Sequence, residues 1–219
     1  MFKLEKVCDQ VYAWVFDNSY DMTMHCLRVS EFRESTEDRF HDNSFDIIDY
    51  IDWYMRCASS DGTWSYPDDW AGFNIRAVDF KRTYEDNKPN DWNRYDHIAY
   101  GIYKYIYSKQ GKDDFYVIAH TAGDTDTFEH EFAHALFKVD EEYMFEMTEA
   151  VEALSPGKKL FRLKTILKEK MLYREHIHVD EIQAYFATEF PDEFPPHYKQ
   201  YRAPFIEIYK RYRKKHLGR

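Results

Sequence analysis

The sequence has few of the residues that cross-link a chain or make it flexible. Its 219 residues include seven glycines and three cysteines, Cys8, Cys26 and Cys57, which follow no CxxC spacing. Cysteines this far apart and odd in number exclude a disulfide framework and indicate a reducing compartment. A chain of this length also buries enough surface to fold without disulfides.

Long apolar segments are missing as well. No stretch approaches the roughly 18 consecutive apolar residues that cross a bilayer. The first residues, MFKLEKVCDQ, contain no apolar run of signal-peptide length. We therefore expect no membrane association and a cytoplasmic location, in a cell or in an infected host.

Basic residues are also fewer than acidic ones. Lys and Arg number 30 against 40 Asp and Glu, which gives a formal net charge of −10. Affinity for nucleic acids depends on clustered Lys and Arg. The balance therefore argues against nucleic-acid binding as the main task, and we expect the partner to be a protein or peptide.

Aromatic side chains, by contrast, are abundant, at 19% of the chain. Disordered chains lack aromatics, so we expect a folded protein with an aromatic core. Residues 10–17 and 23–32 are rich in β-branched and aromatic residues and predict a β-hairpin. Helical spacing predicts helices within 44–58 and 91–109. The apolar run at 115–119 has the length of a strand.

A second short strand is expected at 75–80, and after residue 119 the apolar spacing becomes helical almost to the C-terminus. The sequence contains no internal repeat, low-complexity tract or flexible linker. We therefore expect one α+β domain over 1–219, with a hairpin and helices in 1–112 and a strand followed by helices in 113–219. The late helices are predicted at 124–139, 141–154, 157–173, 179–190 and 196–216.

One pentapeptide carries a chemical signal: His130-Glu131-Phe132-Ala133-His134. Two histidines four residues apart lie on one helix face, one turn apart, so both imidazoles can reach one metal ion. Glu131 lies about 100° around the helix from His130, where a carboxylate can take a proton from a metal-bound water. Random placement gives roughly 0.04 occurrences of HExxH in this composition.

HEFAH resembles the motif of the zincin metallopeptidases. The resemblance implies a zincin-like fold, in which a small, mainly antiparallel sheet and an active-site helix precede a helical C-terminal half. It also implies a Zn²⁺ cofactor bound by His130 and His134, hydrolysis of a peptide bond, and Glu131 as the residue that activates water. Metzincins extend the motif with a glycine three residues after the second histidine and a His or Asp three residues later. Here Phe137 replaces the glycine, and Asp140 would lie about 240° around the helix from His134, so we set this extension aside.

Gluzincins take a third ligand from a later helix, commonly within E-x-x-A. Residues 180–187, DEIQAYFA, contain that pattern, with Glu181 followed by Ala184. Helical periodicity does not choose between Asp180 and Glu181 as the ligand, whereas the similarity to E-x-x-A favours Glu181. Many gluzincins also orient the first histidine with a carboxylate four residues after the ligand, and Tyr185 stands there instead. Another acid, Asp180 or Asp126, is expected to do that work.

Two functions of different classes follow from these residues. The first is a zinc-dependent metallopeptidase with His130, His134 and Glu181 as metal ligands and Glu131 as the catalytic residue. The alternative is a catalytically weak or inactive zincin-like protein that acts by binding a protein partner. The residue that would stabilise the oxyanion is left open among five candidates: His176, His178, Tyr143, Tyr173 and Tyr185.

Overall fold

The computed structural model describes residues 1–112 and 114–218. Contacts within the chain divide it into two compact units, Met1–Asp124 and Thr125–Arg219. The expected change of character at residue 113 lies outside the described residues, and the single domain stays a prediction.

The first unit contains a four-stranded mixed sheet in the order β1-β2-β4-β3. β1 pairs antiparallel with β2, β2 pairs parallel with β4, and β3 pairs antiparallel with β4. The α+β class is therefore confirmed, with two antiparallel pairings and one parallel pairing. The strands are β1 (Phe2–Lys6), β2 (Val11–Phe16), β3 (Gly72–Arg76) and β4 (Tyr116–Thr121).

The predicted hairpin is wrong in its second strand. The hairpin of the structure pairs β1 with β2, and residues 23–32 lie within helix α1 (Ser19–Glu34). The Asn18 side chain accepts a hydrogen bond from the Asp21 N–H and caps this helix. Met22, Cys26 and Val29 are fully buried at helical spacing. Burial along one helix face thus outweighs the strand propensity of the segment.

The helices predicted within 44–58 and 91–109 are present at Ile47–Trp53 and Arg94–Gln110, whereas the short helices at Tyr66–Asp69 and Ala77–Lys81 were not predicted. The core of this unit is rich in aromatic residues, as expected. α5 ends at Gly111, whose φ of 73° suits glycine. The strand predicted at 75–80 occupies 72–76 instead, and a short helix follows it. The remaining helices are α2 (Ile47–Trp53), α3 (Tyr66–Asp69), α4 (Ala77–Lys81) and α5 (Arg94–Gln110), and π-helical turns at Tyr54–Ala58 and Arg82–Asp86 follow α2 and α4.

The second unit is helical throughout its described part, as the sequence predicts. Asp140 separates the first two helices and caps the second, accepting hydrogen bonds from the N–H groups of Glu142 and Tyr143. The helices are α6 (Thr125–Val139), α7 (Glu141–Glu152), α8 (Lys159–Glu169), α9 (His178–Ala187) and α10 (Ala203–Leu217). Within residues 1–112 and 114–218, no helix combines the length and apolar character needed to cross a bilayer.

Candidate metal centre

Helix α6 presents both motif histidines to one point. The Nε2 atoms of His130 and His134 lie 3.2 Å apart, and both side chains are buried. Phe132 and Leu136, on the other side of the helix, are also fully buried. The helix is therefore held on both sides, which fixes the direction of the imidazoles.

Helix α9 packs against α6 and brings a carboxylate to the same point. Glu181 Oε2 lies 3.7 Å from His134 Nε2, and Glu181 is buried. One donor atom from each of His130, His134 and Glu181 lies within 4.8 Å of the others. These three residues could hold a metal ion.

The two histidine nitrogens are spaced as two ligands of one metal ion. Two nitrogens bound to one tetrahedral zinc at about 2.0–2.1 Å lie about 3.3 Å apart, close to the observed 3.2 Å. Two imidazoles and one carboxylate are also ligands that zinc accepts. Three protein ligands leave one position open for water or substrate, as catalytic zinc sites require.

Asp180 faces the other edge of the His134 ring. Its Oδ1 atom lies 2.9 Å from His134 Nδ1, and its Oδ2 atom lies 3.0 Å from Lys138 Nζ. Since a carboxylate accepts, His134 carries its proton on Nδ1 and directs Nε2 towards His130 and Glu181. The structure thus separates the two acids that periodicity could not: Glu181 is in the donor group, and Asp180 orients a histidine.

The charges around His134 favour the protonated, positively charged form of its ring. Burial lowers the pKa of His134, but the negative charges of Asp180 and Glu181 outweigh it and raise the pKa to about 10. Burial raises the pKa of Asp180, but His134 and Lys138 outweigh it and hold that pKa well below its ordinary value. Burial, followed by the positive charge of His134, lowers the pKa of His130. His130 therefore stays neutral and keeps a lone pair for a metal.

A buried glutamine ties the helices of the site together. Gln183 Nε2 donates to Asp180 Oδ1 at 3.0 Å and to the backbone oxygen of Ala133 at 3.4 Å. Tyr143, on α7, donates to Gln183 Oε1 at 2.8 Å. Gln183 thus fixes the Asp180 carboxylate and links α9 to both α6 and α7.

The Nδ1 edge of His130 meets residues just beyond α9. Thr188 Oγ1 lies 3.4 Å from this nitrogen, and Glu189 Oε1 lies 3.3 Å from it. The Tyr185 ring packs against the His130 ring with centroids 4.7 Å apart, and the Tyr185 hydroxyl lies 3.1 Å from that of Tyr173. Burial, followed by the charge of Glu181, raises the pKa of Tyr185, so its phenol stays neutral.

Glu131, the predicted catalytic residue, is buried beside the donor group. Its charge contributes to the raised pKa values of His134 and Tyr185, after the larger effects of burial and the neighbouring carboxylates. The motif places this carboxylate one position after His130 on α6.

Other residues singled out from the sequence have different surroundings. Asp140 caps α7 and meets Lys215 and His216, in keeping with its exclusion as a ligand. Asp126 is exposed, and His178 donates to the backbone oxygen of Tyr173. Sequence reasoning missed Lys138, Gln183 and Glu189. Lys138 lies four residues after His134 and Gln183 three after Asp180, so helical spacing from the two site residues is the signal that finds both.

Comparisons of the chain with protein-family models, with curated proteins and with solved structures gave no match.

Proposed function

We propose that this chain is a zinc-dependent metallopeptidase with a zincin-like, gluzincin-type site. His130, His134 and Glu181 would hold the zinc ion. The observation that carries the proposal is the approach of Glu181, 47 residues after His134, to the two histidines of an HExxH helix. In this proposal, Glu181 of the E-x-x-A helix is the third zinc ligand, together with His130 and His134.

Zinc, when bound, lowers the pKa of a coordinated water and polarises a carbonyl group. Glu131 then has the role of general base and acid: it accepts a proton from the attacking water and passes it to the leaving amine. Its burial on α6, one position after His130 of the HExxH motif, supports this role.

Asp180 has a positioning role in this proposal. It accepts the Nδ1 proton of His134 and is itself held by Lys138 and Gln183. Carboxylates placed in this way fix the tautomer of a ligating histidine and increase its basicity. Among the candidate oxyanion donors, Tyr185 is neutral and packs against His130, and we assign it this role in the proposal.

The experiment compares the wild type with Glu131→Gln and a control, Glu149→Gln, at an exposed position on α7. Each zinc-loaded protein is incubated with unfolded casein and with a mixed peptide library, and new amino termini are measured. We expect cleavage by the wild type and the control, and a loss of about 10³-fold or more in Glu131→Gln with zinc retained. Full proteolysis by Glu131→Gln would contradict the mechanism. A wild type that binds zinc and cleaves nothing would favour the partner-binding alternative.

A further inference from the structure

A second cleft in the helical unit lies at the start of α8. Its volume is about 490 Å³, and we call it the α8 cleft. Three segments form it: the turn at Gly157 and Lys158, the first two turns of α8, and the 3-10 helix Pro196–Tyr201. The donor group around His130 contributes no residue to its lining.

The lining of the α8 cleft is positively charged. Lys158, Lys159 and Arg162 belong to it, and none of its nine lining residues is Asp or Glu. Lys159 donates to the backbone oxygen of Pro156 at 2.7 Å and lies over the ring of Tyr201. Among residues 1–112 and 114–218, none of the three cations has a carboxylate within ion-pair distance. Three cations without an ion pair therefore line one cleft of a chain whose net charge is −10.

Two other clefts of the same unit show the contrast. In both of them, acidic residues accompany the basic ones, so the local charges largely cancel. One cleft combines Lys210 and Arg213 with three acids, and Glu129 among them pairs with Arg213 at 2.7 Å. The second shares Arg162 with the α8 cleft and also contains Lys170, Glu169, Asp192 and Glu193. Within the described residues, none of these three acids forms an ion pair with Arg162.

The backbone of the α8 cleft adds to its preference for an anion. The N-cap residue of α8, Lys158, makes no side-chain capping bond, and the first turn holds no acidic residue. The positive end of the helix dipole is therefore not offset by a local carboxylate. Lys158 also adopts φ 62°, a left-handed conformation in which non-glycine residues are uncommon.

Aromatic side chains indicate what accompanies the anion. Phe161 is 72% exposed, and Tyr198, Tyr201 and His197 also line the cleft. A ring that stacks on such side chains gains affinity without specific hydrogen bonds. The volume lies within the range of about 300–1,000 Å³ typical of small-ligand sites. We infer that the α8 cleft binds a small phosphate ester whose organic part carries a planar ring, with the phosphate on Lys158, Lys159 and Arg162.

The test is calorimetric titration of the full chain with three probes: adenosine 5′-monophosphate, adenosine and inorganic phosphate. We expect the monophosphate to bind more tightly than either fragment. Arg162→Gln should weaken its binding by about tenfold, because a charge-assisted hydrogen bond to phosphate is lost. Lys158→Gly should weaken it as well. Since glycine tolerates the left-handed φ, this variant keeps its fold, and the loss reports on charge alone.

The matched control is Lys168→Gln, which removes one positive charge from α8 outside the lining of the cleft. It should leave the affinity for the monophosphate within about twofold of the wild type, because Lys168 pairs with Glu175 and does not line the cleft. No binding of the monophosphate at millimolar concentration would overturn the inference, and so would equal losses in Arg162→Gln and Lys168→Gln. Binding of a single-stranded oligonucleotide but not of the monophosphate would overturn it in favour of a nucleic-acid partner.

Discussion

Asp180 and His134 form a buried contact at one side of the candidate metal centre. The carboxylate lies 2.9 Å from Nδ1 of the ring, and both side chains are buried. The contact leaves Nε2 of His134 directed towards His130 and Glu181. Two adjacent acids on α9 thus have different positions, one at each edge of the same imidazole.

This geometry predicts different effects for the two acids. Asp180→Asn should lower the affinity for zinc by about 10–100-fold, as is typical when a residue that orients a ligand is lost. Glu181→Gln should reduce it much further, because an amide is a poor zinc ligand. Affinity is measured by competition with a chromophoric chelator, and Asp192→Asn, an exposed acid of the same unit, is the control. An equal or larger loss in Asp180→Asn would reverse the assignment.

The hydrogen bonds of Gln183 predict a loss of stability when this side chain is removed. It is fully buried and bonded to Ala133, Tyr143 and Asp180. Gln183→Ala leaves several buried groups without partners, so the free energy of unfolding of the metal-free protein should fall by about 2–4 kcal/mol. Tyr143→Phe removes one of these bonds and should cost about 1–2 kcal/mol. Urea unfolding followed by far-UV circular dichroism measures both, and a Gln183→Ala variant as stable as the wild type would contradict the network.

The lowered pKa of Asp140 predicts that the stability of the fold depends on pH. Burial raises its pKa, but hydrogen bonds from His216, Lys215 and the Tyr143 N–H outweigh it and hold the pKa below the ordinary value. A lowered folded-state pKa stabilises the fold above the unfolded-state value, and this contribution disappears as pH falls through the folded-state value. Asp140→Asn keeps the oxygen that caps α7 and replaces the charged oxygen that accepts from Lys215 and His216.

The Asn variant should therefore cost about 1 kcal/mol at pH 7 and progressively less below about pH 4. Urea unfolding of the metal-free wild type and variant from pH 7 to pH 3 measures the difference. A difference that stays constant, or grows, as pH falls would contradict the role of the Asp140 charge.

In the sheet-containing unit, we expect substitution of Arg28 to cause the largest loss of stability. It donates to both oxygens of Asp96, at 2.8 and 3.1 Å, and also meets Asp91. Arg28→Met leaves buried negative charge uncompensated and should cost about 3–5 kcal/mol. All five tryptophans belong to this unit, so their fluorescence during urea unfolding reports on it. Arg56→Met, at an exposed ion pair, is the control and should shift the transition little.

The parts of the fold that follow from local pattern were predictable from the sequence. Helices α5 to α9 lie close to the expected positions because their buried apolar residues repeat with helical spacing. The last helix was expected from residue 196 but begins at Ala203, and the separate 3-10 helix Pro196–Tyr201 precedes it. The parallel pairing of β2 with β4 joins residues more than 100 positions apart, and no local signal encodes it. Residues 23–32 were mistaken for a strand because their composition favours one, although their buried positions repeat with helical spacing.

Part of the candidate site was likewise predictable from the sequence, and part was not. The HExxH spacing and the E-x-x-A resemblance pointed to His130, His134 and Glu181, which the structure brings together. The role of Asp180 depends on which edge of the His134 ring faces α9, and this follows only from how α6 and α9 pack. Gln183 was missed for the same reason, since its partners lie on three different helices.

The most direct test of the account is the zinc content of the purified protein by plasma mass spectrometry, after reconstitution and removal of free metal. The account predicts about one zinc per chain in the wild type and in Glu131→Gln, and almost none in His130→Ala and Glu181→Gln. No zinc in the reconstituted wild type, or full zinc content in Glu181→Gln, would contradict it.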